Sequence, residues 1–150
     1  MNASRPGAER YSVLVIDDEE TSQVIARIAL EQMGVRKITV VGEVASALRV
    51  LDEPLQAPDF VICDIFMPQS DGIEMVNALV ERRYAGGLVL VTGGDSQYLV
   101  IAKRVARFHG LQLLASLTKP FSREALELAL FGPADEAATS LARSRGQTSF

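Results

Sequence analysis

Four short segments of this 150-residue chain end in side chains able to hold a metal ion or a phosphoryl group. SVLVID closes on Asp17-Asp18-Glu19-Glu20, DFVICD closes on Asp64, GLVLVT closes on Thr92 before Gly93-Gly94, and LQLLASL leads into Thr118-Lys119-Pro120. Carboxylate oxygens suit a hard divalent cation, and an ammonium with a hydroxyl can hold phosphoryl oxygens. The chain has one cysteine, Cys63, and one histidine, His109, which excludes an internal disulfide, a CxxC pair and a zinc site built from several Cys/His ligands. Any metal must therefore sit among oxygens.

The elements around these ends are legible from periodicity. From Tyr11 to Phe131, short β-rich apolar runs alternate with stretches of helical period, as repeated βα units do. The spacing predicts strands over 12–17, 37–42, 59–64, 87–92 and 111–117. Between them, Val44, Leu48 and Leu51, then Ile73, Val76 and Leu79, then Ile101, Val105 and Phe108 each line one helical face. Asp71 and Glu74 have the spacing of a reciprocal cap on the third helix, and Gly34 and Gly110 fit the ends of the first and fourth. Parallel strands need crossover helices, and such crossovers are right-handed, so five βα units in one chain predict a three-layer α/β sandwich. Strands 1, 3 and 4 read as continuously apolar, the mark of central strands covered on both faces. Ligands of open parallel sheets bind beyond the carboxyl ends of the strands, so the four polar ends are expected to converge on one cleft.

Composition bounds the rest. With 48% hydrophobic residues the chain fits one globular domain, and 19 acidic against 15 basic residues give a formal charge of −4, which argues against a nucleic-acid binder with a basic face. No segment has the run of apolar residues needed to cross a bilayer, and the N-terminus lacks the hydrophobic stretch of a secretory signal, so the expected location is the cytoplasm. Residues 1–10 and 132–150 are small and polar, and both are expected to be flexible tails, the second partly helical, around a domain over 11–131.

Each piece has a bland explanation when taken alone. Carboxylates after a strand stabilise the following helix, Thr92 suits a strand, and Lys119 before Pro120 suits a turn. Asp64 is harder to dismiss, because an unpaired charge ending Phe60-Val61-Ile62-Cys63 is costly. His109 reads as a helix-end residue and Cys63 as a core thiol; Arg82-Arg83, Arg104 and Arg107 read as solvated faces, and the glycine pairs match no P-loop or dinucleotide fingerprint.

The ordered set Asp17-Asp18, Asp64-Ile65-Phe66-Met67-Pro68 with Asp71-Gly72, Thr92-Gly93 and Lys119-Pro120-Phe121 closely resembles the receiver domain of two-component response regulators, over about residues 11–131. The resemblance implies a flavodoxin-like (βα)5 sandwich with strand order 2-1-3-4-5. It implies that Asp64 takes a phosphoryl group from a histidine kinase or histidine phosphotransfer protein. Mg²⁺ would be held by Asp18 and Asp64, by Asp17 largely through water, and by the backbone carbonyl of Phe66. Lys119 would pair with the acyl-phosphate oxygens and Thr92 would hydrogen-bond to the phosphoryl group. Such a domain signals and is not an enzyme beyond its own phosphorylation and dephosphorylation. Its output would pass to an effector, or to a second copy of the chain, through the face of the fourth helix, fifth strand and fifth helix, where Leu99, Val100, Leu126 and Leu130 are candidates. Neither nucleic acid nor membrane is an expected partner.

One position departs from the pattern. Many receivers carry an aromatic residue three positions before the lysine, and this chain has Ser116, so switching must use backbone movement or other side chains. The alternative from the enzyme class is a Mg²⁺-dependent aspartyl-phosphate phosphohydrolase of the haloacid-dehalogenase type, which places a second aspartate two residues after the nucleophile, where this chain has Phe66. A flavin- or nucleotide-binding module needs a phosphate-cradling loop after the first strand, and Asp17-Asp18-Glu19-Glu20 would repel phosphate there.

Overall fold

The computed structural model describes residues 4–67, 72–94 and 97–133. Five strands and five helices alternate: β1 (Ser12–Ile16), α1 (Glu20–Gln32), β2 (Lys37–Val41), α2 (Val44–Leu51), β3 (Phe60–Asp64), α3 (Gly72–Glu81), β4 (Gly87–Thr92), α4 (Gln97–Phe108), β5 (Gln112–Thr118) and α5 (Arg123–Phe131). All strand pairs are parallel, in the order β2-β1-β3-β4-β5. The expected strands are each met to within a residue at either end. At the first, pairing stops at Ile16, although the Asp17 N–H still donates to the Val41 carbonyl at 3.0 Å.

The apolar runs explain the layering. Nearly every residue of β1, β3 and β4 is buried, whereas the edge strands β2 and β5 are half exposed. One sheet face packs Leu14, Ile16, Val61, Cys63, Leu88 and Leu90 under α2, α3 and α4; the other packs Val13, Val15, Ile62, Val89 and Val91 under α1 and α5. Consecutive residues alternate between the faces, as the period-two pleat requires. Leu126 and Leu130 belong to the second of these cores, while Val100 is exposed.

Local chemistry sets the helix ends. Gly34 and Gly110 adopt φ values of +102° and +79°, and after each the next N–H reaches back to close the helix, Val35 to Leu30 and Leu111 to Ala106. Ser122 caps α5, its Oγ accepting from the Ala125 N–H at 3.0 Å. The expected Asp71–Glu74 cap lies outside the described residues. Gly72 has a different role: its N–H donates to the Ile65 carbonyl at 2.8 Å, and a Cβ there would stand 2.6 Å from the Ile65 Cα. Only glycine lets α3 begin that close to the end of β3.

Residues 4–10, within the stretch expected to be a flexible tail, pack against the domain. Ala8 is buried in a 3-10 turn over Ala8–Arg10, and the Arg5 N–H donates to the Met33 carbonyl at 2.8 Å. The Arg5 guanidinium pairs with Glu127 at 3.2 Å, donates to the carbonyls of Phe131, Gly132 and Pro133, and lies over the Phe131 ring. These partners come from the far end of the chain, so local composition did not reveal them. The 132–150 tail lies outside the described residues beyond Pro133. Among the described residues, no helix is long and apolar enough to cross a membrane.

Candidate functional site

The parallel topology carries the ends of β1, β3, β4 and β5 to one edge of the sheet, and backbone hydrogen bonds tie them together there. The Ile65 N–H donates to the Val91 carbonyl, and the Lys119 N–H to the Thr92 carbonyl, each at 2.8 Å. Asp64, the last residue of β3, is therefore held between the β1 and β4 ends.

Asp17, Asp18 and Asp64 each offer a carboxylate oxygen, and these oxygens lie within 4.8 Å of one another. Asp17 and Asp64 are buried, whereas Asp18 is exposed at the mouth. Lys119 Nζ donates to Asp17 Oδ2 at 2.8 Å, to Asp64 Oδ2 at 2.9 Å and to Ser22 Oγ at 3.0 Å, with Glu19 Oε1 at 3.9 Å. The other oxygens of the buried pair are also engaged: Asp17 Oδ1 accepts from the Glu19 N–H at 2.9 Å and Asp64 Oδ1 from the Phe66 N–H at 3.0 Å.

The electrostatics follow from burial and neighbours. Burial pushes the Asp64 carboxyl above its ordinary range; Lys119 and the Phe66 N–H pull against this, and the Asp17 charge adds to the rise. Burial alone would lower the Lys119 ammonium, but its bonds to Asp17 and Asp64 outweigh that and hold it above its ordinary value. Cys63, adjacent to Asp64 but on the core face, is raised by burial and by both carboxylates, which makes it an inert thiol. Three clustered carboxylates face one ammonium, so a divalent cation is the charge the cluster lacks, and an all-oxygen donor set open on the Asp18 side suits Mg²⁺.

The remaining predicted residues divide. Phe66 is close, and it is 64% exposed beside the cleft formed with Asp18, Glu19, Asp64, Gly93 and Lys119. Thr92 is buried, and its hydroxyl turns back on its own loop to donate to the Gly94 carbonyl at 2.8 Å. Ser116 is half-buried in β5, paired in register with Leu90. Sequence reasoning missed two residues of α1: Ser22, which accepts from Lys119, and Gln23, whose side-chain amide donates to the Asp17 carbonyl. Their only signal was position, one helical turn beyond the acidic run.

The model of the response regulator receiver domain matches residues 13–131. The chain belongs to that family. A probable chemotaxis protein CheY of Rhizobium etli is 31% identical over 126 residues, covering 82% of this chain and 92% of that protein. The alkaline phosphatase synthesis transcriptional regulatory protein PhoP of Bacillus subtilis is 30% identical over 112 residues, which cover 73% of this chain and 42% of that longer protein. Among solved structures, a response regulator from Colwellia psychrerythraea aligns at a TM-score of 0.67 with 26% identity, covering 89% of this chain and 98% of the other. The receiver fold is thus a two-component signalling domain, and its strand order is the one expected from the resemblance.

Proposed function

We propose that residues 11–131 form a phosphoacceptor unit in which Asp64 takes a phosphoryl group from a phosphohistidine of a histidine kinase or phosphotransfer protein. The observation that carries this reading is the placement of Asp64: a buried carboxylate gripped by Lys119, with the Asp17 and Asp18 carboxylates within 4.8 Å. An Asp64 oxygen would attack phosphorus from the open cleft between Phe66 and Gly93 as the bond to the histidine nitrogen breaks, and the imidazole would keep that electron pair and take up a proton. Phosphoryl transfer depends on positioning and on neutralising the equatorial oxygens. Lys119 supplies one positive charge, and Mg²⁺ held by Asp18, Asp64, the Phe66 carbonyl and, through water, Asp17 would supply the rest.

Switching then falls to the loop after β4. The Thr92 hydroxyl has only to leave the Gly94 carbonyl to donate to a phosphoryl oxygen, and Ser116 leaves no aromatic ring to follow it. The change would reach a cytoplasmic effector or a second copy through the face of α4, β5 and α5. Val100, Ile101 and Leu128 are exposed on these two helices, whereas Leu126 and Leu130 are occupied in the core.

Incubation with acetyl phosphate and Mg²⁺, followed by intact-mass analysis, tests the reading. The native chain should gain one phosphoryl group, and neither Asp64→Asn nor the native chain in EDTA should gain any. A native chain that stays unmodified with acetyl phosphate and with phosphorylated kinases would overturn it.

A further inference from the structure

Polar tethers hold the Lys119 ammonium at the cleft. Its side chain borders a cavity of about 280 Å³ between α1 and the β5–α5 connection, floored by Val15, Ile62 and Val91 and walled by Ile25 and Phe121. The three N–H donors of the ammonium meet three acceptors, Asp17 Oδ2, Asp64 Oδ2 and Ser22 Oγ. Ser22 is oriented for this: its single proton goes to Glu19 Oε1, which leaves a lone pair facing Lys119. The chain Glu19–Ser22–Lys119 therefore has one direction of donation.

The three tethers differ in what else they must do. Asp17 and Asp64 are also two of the three clustered carboxylates, so a cation among them competes with Lys119 for the same carboxylates. The Ser22 hydroxyl is outside that cluster and keeps its lone pair for Lys119. We infer that Ser22 is a positioning residue, which acts through Lys119 and keeps the ammonium at the cleft when the carboxylates turn to a cation. The inference rests on the phosphoacceptor reading of Asp64, and its test separates the two.

Native chain, Ser22→Ala and Ser22→Thr are compared with acetyl phosphate at saturating Mg²⁺. Losing one charge-assisted tether should slow phosphoryl uptake by Ser22→Ala about 5- to 10-fold. Its unfolding midpoint and its Mg²⁺ affinity by calorimetry should stay at native values, and Ser22→Thr, which keeps the hydroxyl, should restore the rate. A second readout uses the metal-free chain. With only three lysines, Lys37, Lys103 and Lys119, the ammonium proton signal of Lys119 can be followed by NMR. It should exchange faster with water in Ser22→Ala than in the native chain or Ser22→Thr. An unchanged rate in Ser22→Ala, or a threonine variant no better than the alanine one, overturns the inference. Should the native chain take no phosphoryl group at all, the phosphoacceptor reading falls, and the exchange measurement alone decides whether Ser22 tethers Lys119.

Discussion

The two ends of the same sheet are built on opposite terms. At the amino end, Tyr11, Phe60 and Phe131 pack with ring centroids 5.4–5.5 Å apart, and the Arg5 guanidinium pairs with Glu127 and three backbone carbonyls. Asp59 binds Ser12 through both the backbone N–H and the hydroxyl. Charge there is matched and the rings pack on one another. At the carboxyl end, three carboxylates share one lysine, and burial raises Asp64. One end is arranged for stability, and the other holds like charges together at a cost, which a cation can turn into binding.

Substitutions at the two ends should accordingly move stability in opposite directions. The largest effect is expected from Phe60→Ala, which opens the aromatic cluster and should cost about 2–3 kcal/mol in urea unfolding. A loss below about 1 kcal/mol would show that the rings are surface decoration. Arg5→Ala should cost about 1–2 kcal/mol, because Glu127 Oε2 and the carbonyls at the end of α5 lose a donor, although Glu127 Oε1 keeps Arg123. Arg5→Lys should recover little of this, since one ammonium cannot span that set. A native midpoint in Arg5→Ala would mean that residues 4–10 do not contribute to the folded domain.

At the other end the sign reverses. Asp64 is raised on folding, so the stability linked to its protonated form is complete below the ordinary carboxylate range and is lost as pH climbs through the raised value. Asp64→Asn mimics the protonated form. In EDTA it should raise the melting temperature by a few degrees at neutral pH, with the gain shrinking as pH falls through the raised value toward the ordinary carboxylate range. A neutral-pH melting temperature at or below native would contradict this account of the charge cluster. The smallest effect on stability is expected from Asp18→Asn, because that side chain is exposed: within about 0.5 kcal/mol of native. Its Mg²⁺ affinity should nonetheless fall at least about tenfold, and an unchanged affinity in calorimetry would remove Asp18 from the ligand set.

Legibility differed between the two ends for the same reason. The carboxyl end was readable because each residue sits at a strand terminus, and strand termini show in periodicity: the runs before Asp17, Asp64 and Thr92 are continuous and apolar, and the one before Lys119 is β-rich. The layering of β1, β3 and β4 and the stops at Gly34 and Gly110 followed from equally local signals. The contacts of the amino end are not legible in composition, because Arg5 is an ordinary polar residue until the end of α5 stands beside it, 122 positions away at Glu127. Leu126 and Leu130 could not be divided between core and surface without knowing which side of α5 meets the sheet.

The sequence by itself determined the alternation of elements, the sheet they form and the residues that gather at its carboxyl edge, because periodicity and chain reversal are local properties that add up to one topology. Tertiary structure alone decided which oxygen each proton faces. It turned the Thr92 hydroxyl to Gly94, closed Lys119 onto Asp17, Asp64 and Ser22, and set Arg5 against Glu127. Hydrogen bonds depend on placing donor and acceptor to within a few tenths of an ångström, and no pattern of residue types contains those positions.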